Sequence, residues 1–356
     1  MTSLREIALL FLKLGVIGFG GPAAHIALME SEVVNRRHWL SHQEFLDLLG
    51  ATNLIPGPNS TEMAIHIGYR RAGFRGLLVA GISFILPAAL IVTLIAWLYV
   101  RYGTLPEMGM VLRAVKPVII IVVAQALWSL GKTAIKTSLL LGIAVGSVIL
   151  SLAGVHELLV LLMATIGSAV AGRLARNTSM LSVGLLPIFL FFLKVGSVLF
   201  GSGYVLLAFL RADLVERWHW MTAGQLLDAV AVGQITPGPV FTTATFVGYL
   251  LAGIPGAFVA TVGIFLPAFV FVALSGSLVP RIRNSAIAGL ALDGVNAGSL
   301  ALMAVVTLQL AASALVDIPT LIIAAGAGIA IFKFKMNSAW LVGAAALAGL
   351  AASLLF

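Results

Sequence analysis

The sequence predicts an all-α polytopic membrane protein. Ten transmembrane helices are expected, as two inverted five-helix repeats that each carry a Pro-Gly-Pro re-entrant helical hairpin. Three observations lead there. First, 61% of the 356 residues are hydrophobic and 10% charged, too few polar side chains to cover a soluble domain of this size. Second, apolar stretches of ~20 residues recur from one end to the other. Third, the chain repeats itself: 11–58 aligned on 192–239 is identical at 16 of 48 positions. Lys13/Lys194, Phe19/Phe200, Gly20/Gly201, Trp39/Trp220, Asp47/Asp228 and both Pro-Gly-Pro triplets are among them. After a one-residue slip the match resumes at Gly68-Tyr69/Gly248-Tyr249 and Pro87/Pro267. The repeat divides the chain into domains 1–178 and 179–356.

The first apolar run, 4–27, reads as a span ending near Gly18-Phe19-Gly20-Gly21 and Pro22. It belongs to the repeat, so no cleavable signal peptide is expected. A polar stretch, 30–44, follows. Two apolar segments, 45–55 and 59–69, flank Pro56-Gly57-Pro58. Neither reaches across ~30 Å at ~1.5 Å per residue, so they form a re-entrant hairpin. Spans are then expected at 75–100, 108–130, 137–153 and 156–173. The second half repeats the order: a span at 184–210, a hairpin at 223–250, then spans at 256–279, 285–310, 318–333 and 338–356.

Five spans per half invert the second half relative to the first. Loop charges agree with that count. One face collects Arg36, Arg37, Arg70, Arg71, Arg75, Lys132, Lys136, Arg173, Arg176, Arg281, Arg283, Lys333 and Lys335; the other holds Arg5, Arg101, Arg211 and Arg217. The positive-inside rule places the first face in the cytoplasm and both termini on the outer face of the plasma (inner) membrane. The net charge of +8 is therefore distributed between apolar segments and forms no basic domain, so nucleic acid is not an expected partner. With Cys 0, disulfides and thiolate metal sites are excluded. The sequence has no HExxH, P-loop or nucleophile–base set, so no metal, cofactor or enzymatic activity is expected.

A duplicated membrane protein with a broken helix at the same place in each half points to transport. Each triplet frees backbone groups. Pro58 and Pro239 suit the first turn of the following half-helix, whose remaining N–H groups and dipole favour an anion at the hairpin tip. Asn59, Ser60 and Thr61 follow the first break and Thr242 and Thr243 the second; Asn53 and Gln234 occupy equivalent places before them. Lys13 and Lys194 lie ~14 Å into their spans by helical rise. A cation at that depth faces a cavity, snorkels, or pairs with a carboxylate. Arg113 and Lys116 share a helix face, and their counterparts are Asp293 and Asn296, a break in charge symmetry. Glu62 and His66, four apart after the first triplet, have no acidic counterpart, and Glu62 is a candidate to titrate or to cap charge at the hairpin.

FLKLGVIGFGG with NLIPGPNSTE, then FLKVGSVLFGSG with GQITPGPV, resemble the chromate transporter family across essentially the whole chain. The resemblance implies an inner-membrane secondary transporter that exports chromate and confers resistance, with sulfate as a second cargo. It carries over Lys13, Phe19, Gly20, Gly21, Pro56, Gly57 and Pro58, and Lys194, Phe200, Gly201, Pro237, Gly238 and Pro239; Ser202 stands where the first half has Gly21. The expected binding set is these motif residues other than Phe19 and Phe200, with Asn53, Asn59, Ser60, Ser202, Gln234 and Thr242. Glu62, Arg113, Lys116 and Asp293 are expected to couple or pair charge. The expected partners are a small oxyanion, the lipid bilayer and, in a homodimer, a second copy. Proton-coupled uptake of sulfate or another oxyanion, and an anion channel, remain as alternatives.

Overall fold

The computed structural model describes residues 3–19, 21–52, 55–103, 106–135, 137–153, 160, 184–199, 206–283, 286–336 and 338–355. Every regular element among them is helical. In chain order these are α1 (Leu4–Ile17), α2 (Gly21–Glu30), α3 (His42–Thr52), α4 (Asn59–Tyr102), α5 (Pro106–Ala134), α6 (Ser138–Leu152) and α7 (Leu185–Val198). There follow α8 (Leu206–Phe209), α9 (Ala223–Ile235), α10 (Thr243–Arg283), α11 (Ala286–Ala314), α12 (Ile318–Phe332) and α13 (Ser338–Leu355). The chain is an all-α polytopic membrane protein. By length and composition Asn59–Tyr102, Gly109–Trp128 and Val240–Ser275 can each cross a bilayer, among the described residues.

The chain forms two compact units. The first comprises Met1–Arg101, Val183–Gly203 and Val232–Arg281, and so holds α1 to α4, α7 and α10. Its core joins Ile7, Leu10, Phe11 and Leu14 of α1 to Met29, Val33, Phe45, Met63, Ile67 and Phe84. The second comprises Tyr102–Ser182, Tyr204–Ala231 and Ile282–Phe356. There α5 is the central helix, packed by α11, α12 and α13, with α6 against α11.

The expected first span is shorter than the apolar run. Helix α1 starts at its Ser3 cap and stops at Ile17, well before the expected end at 27; α2 begins at Gly21, whose φ is +82°. Helix α7 likewise stops at Val198 within the expected 184–210. Hydropathy runs on through glycine, but the backbone does not. The polar stretch expected at 30–44 is also partly helical. It carries a π-helical turn at Ser31–Arg36, and the second half carries one at Leu210–Arg217. These close with Arg37 N–H to the Glu32 carbonyl and Trp218 N–H to the Asp213 carbonyl, two bonds between positions that the repeat pairs.

Helix α4 is two helices. At Ala72 and Gly73 the backbone leaves the helical region, Gly73 taking φ +60° and ψ −148°. A Cβ built on Gly68 would lie 2.3 Å from the Gly76 carbonyl oxygen. Residues eight apart in a straight helix are ~12 Å apart, so the chain folds back here. Residues 59–71 make a leg of ~20 Å, too short to span, and 74–102 one of ~43 Å. Helix α10 does the same at Ala252 and Gly253 (φ +60°, ψ −151°), with Gly248 2.3 Å from the Gly256 oxygen by the same construction. The second half enters this leg through a 3₁₀ turn, Val240–Thr242, where the first has α-helix. The looser rise of a 3₁₀ turn covers similar length with fewer residues, which is where the one-residue slip falls.

Candidate functional site

The two Pro-Gly-Pro breaks are built into the first unit, each against the other half of the sequence. Gly57 has φ +142° and its amide donates to the carbonyl of Leu199, the cap of α7, at 2.8 Å. Gly238 has φ +88° and its amide donates to the carbonyl of Gly18, the cap of α1, also at 2.8 Å. His25 Nε2 donates to that same carbonyl at 2.8 Å. Helices α1 and α7 thus end on carbonyls that a helix terminus leaves open, and the breaks fill them. Each break also faces an alanine of the opposite long helix. A Cβ on Gly57 would come 3.6 Å from Ala268 Cβ, and one on Gly238 2.6 Å from Ala88 Cβ.

The prolines act differently from the expectation. Pro58 is the residue before α4, and its carbonyl accepts from the amides of Thr61 (2.8 Å) and Glu62 (3.0 Å). Pro239 accepts from Thr242 at 3.0 Å. Proline keeps its acceptor although it lacks a donor, so it caps the helix and uses part of the amide array the sequence offered to an anion. Gly57, Pro58, Ser60, Gln234, Pro237, Gly238, Pro239 and Thr242 are buried; Pro56 and Asn59 are half-buried. The Thr242 hydroxyl donates to the Pro239 carbonyl at 2.8 Å. Gly21 opens α2. Gly20, Asn53, Gly201 and Ser202 lie outside the described residues.

Lys13 has a partner that no sequence pattern named. Its Nζ lies 2.8 Å from Oε1 of Glu32, on the π-helical turn. Glu32 also receives Arg36 at 3.1 Å and Arg37 at 3.4 Å, while Arg37 reaches Glu6 at 3.2 Å. Three cations against two acids leave this cluster at +1. The hydrogen bond from Lys13 holds the Glu32 carboxyl below the ordinary glutamate range; burial works against it, and Arg37 and Arg36 add to the lowering. Lys194 sits with Nζ 5.7 Å over the Phe191 ring. A signal for Glu32 was present in the sequence. Its counterpart in the repeat is Asp213, an acid for an acid.

Polar side chains gather behind the first break. Thr61 and Glu62 are 0% exposed and His66 7%. Thr61 Oγ1, both carboxyl oxygens of Glu62 and His66 Nε2 have no hydrogen-bond partner among the described residues. At the equivalent place the second half has Thr243, whose hydroxyl donates to the Val240 carbonyl at 2.8 Å.

Arg113, Lys116 and Asp293 belong to the other unit. Arg113 forms an ion pair with Asp317, and Lys116 with Asp228 at 3.2 Å. Among the described residues no cluster of His, Asp and Glu could hold a metal ion.

A family model described as Chromate transporter matches residues 5–172 and 186–350. The probable chromate transport protein of Synechococcus elongatus is 33% identical over 292 residues, 75% of this chain and 74% of its own. The chromate transport protein of Cupriavidus metallidurans is 33% identical over 292 residues, 76% of this chain and 73% of its own. The uncharacterized transporter YwrA of Bacillus subtilis is 35% identical over 126 residues, 35% of this chain but 71% of its own. No solved structure matches the chain.

Proposed function

The chain belongs to the chromate transporter family, a family of transporters rather than enzymes, and on that premise we propose that it is a secondary transporter exporting chromate across the inner membrane. The observation that carries this reading is the reciprocal seating of the two breaks, Gly57 on Leu199 and Gly238 on Gly18. It puts two helix-breaking turns and their buried polar residues inside one unit of an otherwise apolar chain. Irregular backbone at membrane depth is tolerated where it lines a cavity, and transporters bind their cargo at such breaks.

In this proposal residues 1–178 and 179–356 are inverted repeats, with both termini outside. The matching fold-backs at Gly73 and Gly253 and the matching π-helical turns support the repeat. The oxyanion binds at Pro56-Gly57-Pro58 and Pro237-Gly238-Pro239 with Ser60, Gln234 and Thr242. Lys13 and Lys194 supply positive charge. Lys13 can turn from Glu32 to the anion because Arg36 and Arg37 stay on that carboxylate. Sulfate has the same shape and charge and is a second cargo. A negative-inside potential favours expulsion of a dianion by ~4.6 kcal/mol per 100 mV, at ~2.3 kcal/mol per charge, so export needs no ATP and confers chromate resistance.

Proteoliposomes loaded with chromate test this. Wild-type protein should release it faster as the imposed potential grows, and K13Q/K194Q should release none at equal incorporation. Undiminished flux through the double variant would remove the lysines from the site. Inward flux that requires a proton gradient would replace export by uptake.

A further inference from the structure

Glu62 stands apart from every other described acid of the first unit. It is fully buried, its two oxygens have no hydrogen-bond partner among the described residues, and it lies on the break itself: a Cβ on Gly57 would come 2.2 Å from its Oε1. An ionised carboxylate buried with no partner is strongly disfavoured, so this packing suits the neutral acid. Its Oε1 lies against Gly57 of the break, and one turn on its own helix carries His66, whose Nε2 also has no partner among the described residues. Among the described residues the second break has no such group. Thr243 commits its hydroxyl to Val240, and Gly238 meets the Cβ of Ala88 and the carbonyl of Gly15.

We propose that the first break is a proton-gated oxyanion half-site, occupied only when Glu62 bears a proton, and that the second break binds without one. The proposal rests on the transport reading above. Its chemistry is a change of sign at one atom pair. Protonated, Glu62 offers an O–H donor at the break; ionised, it sets a full negative charge against an incoming dianion. The proton comes from the water on the side where the anion enters and leaves with it. One proton accompanies each anion bound there, and a dianion with one proton still carries −1 across the membrane. Export thus remains driven by the potential, at half the charge of the bare ion.

Chromate titrated calorimetrically into the purified full-length protein between pH 7.5 and 9.5, where the free ion is a dianion throughout, tests the gate. Wild-type affinity at the first break should fall about tenfold per pH unit at the alkaline end while that at the second stays flat, and there a pH-indicator dye should report one proton taken up per anion bound at the first break. E62Q should bind with no pH slope, and E62D should restore the slope. A slope unchanged in E62Q, or no proton uptake by the wild type at the alkaline end, overturns the gate and leaves transport standing. Wild-type protein that binds no chromate at any pH overturns the transport reading and the gate together. The dye measurement needs only the wild type, so a variant that fails to fold does not shelter the proposal.

Discussion

The amide of Gly57, in the first half of the sequence, donates to the carbonyl of Leu199, in the second, at 2.8 Å, and Gly238 does the same to Gly18. Each break is held by the end of the other half's first helix. Both glycines have positive φ, where a Cβ costs ~1–2 kcal/mol. Their surroundings differ. At Gly57 the added carbon meets the end of the Glu62 side chain, which can turn away; at Gly238 it meets Ala88 Cβ and the Gly15 carbonyl, which cannot. G57A should therefore lose about 1–2 kcal/mol of unfolding free energy and G238A about 2–4 kcal/mol. Thermal denaturation in detergent, compared at matched conditions, reads the difference. Equal losses would mean that backbone strain alone decides both sites.

The fold-back of α4 separates steric from torsional demands. Gly68 has the Gly76 carbonyl oxygen where its Cβ would be, while Gly73 has open space but φ +60°. G68A should cost about 3 kcal/mol or more, and G73A about 1–2 kcal/mol. G248A should match G68A, since its clash with the Gly256 oxygen is the same 2.3 Å. Chemical denaturation of the three variants tests the ranking, and a mild G68A would show that the two legs can part.

Glu32 gives stability a pH dependence of known sign. Its carboxyl is held below the ordinary value of 4.5, chiefly by Lys13. The folded chain binds that proton more weakly than the unfolded one. The contribution is therefore fully present above 4.5 and is lost as pH falls through the lower folded value. E32Q should flatten the acid limb of melting temperature against pH while changing little of its shape near neutrality. An acid limb identical to wild type would mean that other carboxylates govern it.

In the second unit, the Lys116–Asp228 pair spans 3.2 Å with the aspartate side chain 4% exposed. D228N alone leaves a largely buried lysine uncompensated and should cost about 3 kcal/mol, whereas K116M/D228L should recover most of that loss. A double-mutant cycle on unfolding free energies should give a coupling of about 1–3 kcal/mol. Coupling near zero would mean the two side chains are stabilised separately.

Much of this fold could be read from hydropathy and turn chemistry. The span expected at 108–130 appears within Pro106–Ala134, while 137–153 and 318–333 appear as the shorter apolar helices Ser138–Leu152 and Ile318–Phe332. The hairpin arms expected at 45–55 and 59–69 appear as His42–Thr52 and residues 59–71. The span expected at 156–173 falls outside the described residues, apart from residue 160. The early stop of α1 was not legible, because Gly18 and Gly21 are neutral to hydropathy and decisive only for backbone conformation. Lys13 was legible as a cation deep in an apolar run that needed an answer, but Glu32 lay in a stretch that read as loop. Asp317, the partner of Arg113, also read as loop; it caps α12 through Thr320. Which acid meets which base depends on packing between distant helices, and no local pattern encodes that.

The seating of Gly57 on Leu199 also sets an order of events during synthesis. When the ribosome has added Pro58, the first turn has no carbonyl to bind, because Leu199 has yet to be made. The acceptor at Gly18 exists early but waits for Gly238. The first half must therefore rest in the bilayer with its break unlatched until the chain has grown well into its second half. The first latch can close only once Leu199 is made and the second only once Gly238 is, so the first unit is completed from the second half of the chain.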